Sequence, residues 1–73
     1  MVSANASAPE RRADESMRLA EVLLASLEAL AAAGEGDAAC RLAGQACAAV
    51  RQSNPAAWQR FNVFLHRMIK RLP

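Results

Sequence analysis

Apolar side chains recur at helical spacing in three stretches of the chain, and each stretch stops at turn-forming residues. Between Ala13 and Ala33, Met17, Leu19, Ala20, Leu23, Leu24, Leu27, Leu30 and Ala31 share one arc of a helical wheel, while Asp14, Arg18, Glu21 and Glu28 take the other side. That pattern predicts a core-facing amphipathic helix over 13–33. Gly34-Glu35-Gly36 ends it, because glycine readily adopts the left-handed backbone that closes helices. Upstream, residues 1–12 (MVSANASAPERR) show no apolar period and are expected to form a disordered tail.

Asp37 stands where an N-cap would begin the next helix, over 38–52. The inward arc of this second helix is small: Ala39, Cys40, Leu42, Ala43, Ala46, Cys47 and Val50. Gly44 lies beside it, which suggests close approach of a neighbour and predicts that Gly44→Leu would overpack the site. The third helix, 55–72, follows Asn54 as cap and Pro55 as first helical residue. It gathers Trp58, Phe61, Phe64, Leu65, Met68, Ile69 and Leu72 on one arc, and Gln59, Arg60, His66, Arg67, Lys70 and Arg71 on the opposite one. Val22 and Val63 stand on the polar sides of their helices, where an isolated apolar residue is ordinary.

These three elements with short connections predict an all-α fold: a small three-helix bundle, made of an antiparallel helical hairpin plus a C-terminal amphipathic helix and open to completion by dimerisation. Composition agrees, since 53% of the 73 residues are apolar, Ala and Leu dominate, and Tyr is absent. A chain this short has a small core and commonly relies on a disulfide, a metal, a partner or very regular packing. The cysteines do not supply the first. Cys40 and Cys47 are seven residues apart on one helix, a rise of about 10.5 Å, whereas a disulfide needs Cα atoms within roughly 7 Å. Two reduced thiols are the expectation.

Charge changes the picture more than its net value of +2 suggests. Residues 1–37 carry three arginines against seven acids, a formal −4, and residues 38–73 carry six cations against no acid, a formal +6. Such a dipole either steers an anionic partner or reflects an acidic first helix packed beside basic neighbours. The basic face of the third helix, Arg60, Arg67, Lys70 and Arg71, is the candidate for anions. Base reading is not favoured, because the helix offers few amide or hydroxyl side chains and the preceding connection is too short for a helix-turn-helix.

Chemistry is hard to place on this chain. His66 is the lone histidine and has no Cys or acid on its face, so neither a metal nor a cofactor is expected. Both cysteines look core-facing and lack a paired base, so the chain is not expected to be an enzyme. Met1–Ala8 has neither a basic segment nor an apolar run of the secretory kind, and Glu21 and Glu28 interrupt the most apolar stretch. A cytoplasmic protein with no transmembrane segment is the expectation.

Between Gly34 and Trp58 the sequence resembles one tetratricopeptide repeat. The Gly36-Asp37 turn, the small Cys40 and Cys47, and Asn54-Pro55-Ala56-Ala57-Trp58 occupy comparable places. The resemblance covers roughly half the chain and implies peptide binding on a helical surface. The first helix departs from the pattern in its length and its lack of aromatics, and no second repeat is completed.

The expected function is a small helical protein–protein interaction module, an adaptor or regulatory subunit, that self-associates or binds another protein. Phe61, Phe64, Met68 and Leu72 are the expected partner contact. The alternative is binding of nucleic acid or an anionic surface through Arg60, Arg67, Lys70 and Arg71.

Overall fold

A computed structural model of the chain describes the backbone of residues 2–71 and the side chains of residues 11–71. It is all-α, with α1 over Val2–Ala32, α2 over Gly36–Val50 and α3 over Pro55–Arg71. The three helices form a small three-helix bundle. Leu72, one of the expected partner contacts, lies outside the described residues.

The start of α1 differs from the one expected at Ala13. Alanines alternate through residues 4–8 and favour helix. No apolar stripe marks this part of the sequence, so the helical wheel places the start of the helix later. Pro9 interrupts one hydrogen bond of the ladder, since it has no amide hydrogen to donate.

The α1–α2 connection is built by hydrogen bonds of the Schellman type. Gly34 takes φ +88°, its N–H donates to Ala31 at 3.1 Å, and the Glu35 N–H donates to Leu30 at 2.9 Å. This closure is so tight that α2 begins two residues earlier than predicted. Glu35, not Asp37, is the capping residue, with no side-chain hydrogen bond, and Asp37 lies inside the first turn. There its carboxylate can still favour the positive end of the helix.

The connection to α3 follows the sequence reading. Asn54 caps α3 by accepting the Ala57 N–H on Oδ1 at 3.1 Å, and Pro55 is the first helical residue. The same residue closes the end of α2, its N–H donating to Val50 at 2.9 Å. Its Nδ2 donates to Ser16 Oγ of α1 at 3.1 Å, so one buried residue, through its side chain and its backbone N–H, ties three helices together.

Register follows from these meetings. Residues 16–23 of α1 face 46–50 of α2, so those two helices are antiparallel. Gly36 lies at the Met68 end of α3, where an added Cβ would sit 3.4 Å from Met68 Cε, so α2 and α3 are antiparallel as well. It follows that α1 and α3 are parallel, with Ser16 beside Asn54 and Glu21 beside Arg60.

The core is thin on one side and bulky on the other. From α2 come only Ala39, Ala43 and Ala46; Leu27 of α1 and Phe61, Phe64 and Met68 of α3 fill the space they leave. Leu27 and Phe61 are the largest fully buried side chains, each contributing about 1.5–3 kcal/mol by removal from water. Gly44 corrects the expected close approach. It is exposed and an added Cβ would meet nothing within 4 Å, so the tight position on α2 is Gly36 instead.

Candidate interaction surfaces

Two clefts flank α1, and they differ in chemistry. The first runs between α1 and α2, with a volume of about 260 Å³ lined by Ser16, Leu19, Ala20, Leu23, Ala46, Ala49, Val50 and Phe61. None of these residues is charged. Leu19 is 70% exposed and its neighbour Val22 65%, and Leu23 and Leu42 are exposed too. Leu42 precedes Ala46 by one turn and Ala49 by two, so it shares the same side of α2. Ser26, one turn after Val22 on α1, donates its hydroxyl to the Val22 carbonyl at 3.0 Å and so presents little unpaired polarity.

The second cleft runs between α1 and α3 as two adjoining hollows of about 280 and 370 Å³. Leu24, Ala31, Ala32, Phe64 and Met68 supply apolar lining, and Glu28, Arg60, Arg67 and Arg71 supply charge. Arg60 and Glu21 form an exposed ion pair at 3.2 Å. Part of the charge dipole along the sequence is thus spent within the fold, acidic α1 lying beside basic α3.

The expected partner contact is placed differently. Phe61 is 1% exposed and Phe64 and Met68 7% each, so these three side chains belong to the chain's own core, because thin α2 leaves them the space to fill. They touch the surface only as cleft floors. Of the apolar arc on α3, Ile69 does reach solvent, at 62%. On the basic face, Arg60, Arg67, Lys70 and Arg71 are all exposed, yet only the three arginines line the α1–α3 cleft. Val22 and Val63 do not form one surface: Val63 lines the α1–α3 cleft, and Val22 stands exposed on α1 outside the lining of either cleft.

Residues Leu19, Leu23 and Leu42 were legible as apolar but read as core. The signal for their exposure is the width of the α1 arc set against the small side chains of α2. An alanine-rich neighbour covers less of a leucine stripe than a bulky one does.

Cys40 and Cys47 are free, half-buried thiols packed against the core. Burial pushes the Cys47 thiol above its ordinary pKa, which disfavours the thiolate that nucleophilic chemistry needs. Among the described residues no group of three or more His, Cys, Asp or Glu is placed to hold a metal ion, and no helix is long and apolar enough to cross a membrane.

The fold and its clefts thus define a small helical bundle with two open seams beside α1. Comparison with protein-family models, with curated proteins and with solved structures finds no match. The features behind the tetratricopeptide resemblance have local explanations, since Gly34 and Glu35 close α1 while Asn54 and Pro55 start α3.

Proposed function

We propose that the chain is a protein–protein interaction module that pairs with a second copy of itself through the α1–α2 face. The observation that carries this reading is the uncharged cleft lined by Leu19 and Leu23, both exposed to water, with Val22 exposed next to Leu19 on α1 and Leu42 exposed one turn before Ala46 on α2. Contact cores are depleted of charge in this way, and a chain with so small a core of its own gains by covering such a face. A second copy fits because the face is apolar and uncharged, so that the same face of another chain complements it.

The exposed side chains amount to a few hundred Å², less than the roughly 800 Å² per partner of a stable interface, so the dimer is expected to be weak, with a Kd on the order of tens of micromolar. Light scattering across micromolar to millimolar concentration tests this. The mass should rise towards that of a dimer and remain monomeric in the Leu19→Glu, Val22→Glu variant, whose helicity should be unchanged. A wild-type chain that stays monomeric at millimolar concentration sinks the reading. Nucleic-acid binding is less well supported, because Glu21 and Glu28 lie among the arginines, where phosphates would meet them.

A further inference from the structure

Helix α3 aims its cations unevenly. On a wheel of 100° per residue Arg60, Arg67 and Arg71 fall within about 40° of one another, whereas Lys70 and His66 lie about 80° and 120° from Arg60. The clefts give that stripe a place. Arg60 and Arg67 line the first hollow between α1 and α3, Arg67 and Arg71 line the second, and Phe64 and Glu28 are common to both, so the two form one channel. Among the described residues only Arg60 has a carboxylate within ion-pair distance. Arg67 and Arg71 stand exposed at the rim of a floor made by Leu24, Phe64 and Met68.

An apolar floor with cations along one rim is complementary to a ligand that is apolar on one side and anionic beside it. We propose that this channel docks an acidic amphipathic helix of another protein, with its apolar face on Phe64 and Met68 and its carboxylates on Arg67 and Arg71. The spacing suits such an occupant. Arg67 and Arg71 are one turn apart, about 6 Å along the axis, which is also the rise between carboxylates at i and i+4 of a docked helix. From Gln59 to Arg71 the channel follows about 18 Å of α3, enough for three turns of ligand. Helices recognised in grooves present apolar anchors at i, i+3 or i+4, and i+7, which is the kind of surface this floor accepts. A phosphate backbone has no apolar groups to fill the floor. The inference stands apart from self-pairing, since the two clefts lie on different sides of α1.

Two labelled eighteen-residue peptides test it against the full chain by fluorescence anisotropy. Both carry the same leucine face; one is flanked by glutamate and the other by lysine. The acidic peptide should bind with a Kd on the order of tens of micromolar at low salt and weaken as salt rises. Its affinity should fall about tenfold or more in the Arg67→Glu, Arg71→Glu variant, since carboxylates would then face carboxylates. The Leu19→Glu, Val22→Glu variant should bind it as the wild type does, so failure of self-pairing and failure of this docking are separate results. Both arginines are exposed, and circular dichroism should show the reversed variant folded; should it unfold, Arg67→Gln, Arg71→Gln takes its place with a smaller loss. The proposal is overturned if the acidic peptide does not bind, if the lysine peptide binds equally well, or if neither variant changes the affinity. It is also overturned if duplex DNA displaces the acidic peptide and loses affinity on the same substitutions, which would assign the arginines to phosphate.

Discussion

The clefts on the two sides of α1 share a construction: each is floored by a phenylalanine of α3, Phe61 under the α1–α2 cleft and Phe64 under the α1–α3 cleft. What separates them is the rim. The α1–α2 cleft is bordered by leucine, valine and alanine because α2 has no apolar side chain larger than Leu42 to close over them, and the α1–α3 cleft is bordered by arginine and glutamate. Water penalises the first by leaving apolar area exposed, an effect nearly indifferent to salt. The second offers charge that screens over about 10 Å at 0.1 M salt. One bundle thus presents two seams that answer to opposite experimental levers.

The change that should break this comparison altogether is Phe61→Ala. It removes the largest fully buried side chain and the floor of the α1–α2 cleft, at a cost of about 3–5 kcal/mol, which a domain of this size can rarely absorb. Urea unfolding followed by circular dichroism should show the transition lost or displaced to very low denaturant. A more selective break is Asn54→Ala. With the cap of α3 and the link to Ser16 both gone, the cost should be about 1–2 kcal/mol in the same measurement.

Smaller effects sharpen the contrast. Gly34→Ala should destabilise by about 1–2 kcal/mol, because φ +88° strains any residue with a Cβ. Gly44→Ala should stabilise by about 0.5–1 kcal/mol, since the site is open and alanine is the better helix former. Thermal midpoints moving in opposite directions would check both. The smallest change expected is in Glu21→Gln. Loss of its exposed pair with Arg60 should shift stability by no more than about 1 kcal/mol, and 1 M salt should erase the difference.

The sequence carries the bundle legibly where a local rule applies. Gly34 as helix stop and Asn54-Pro55 as helix start are chemistry of a few adjacent residues, and Phe61, Phe64 and Met68 fall on a single arc that does form the core. The helical wheel fails where coverage by a neighbour decides. It assigns Leu19, Leu23 and Ile69 to the inward arc, yet all three are exposed, and it cannot say that α2 is too narrow to cover the leucines. Asp37 misleads for a related reason. It is a good capping residue, but the hydrogen bond from Glu35 to Leu30 had already turned the chain into α2. The pairing of Arg60 with Glu21, 39 residues away, belongs to tertiary register and is invisible to any local pattern.

That register has a discrete character. The Asn54 side chain spends Oδ1 on the first turn of α3 and Nδ2 on Ser16, so α3 cannot ratchet along α1 by a turn, about 5.4 Å, without abandoning the hydrogen bond to Ser16. Sliding is therefore all-or-none. The spacing between Glu28 and the arginines, and with it the outline of the α1–α3 channel, is thus tied to an amide at the far end of the bundle as well as to the core.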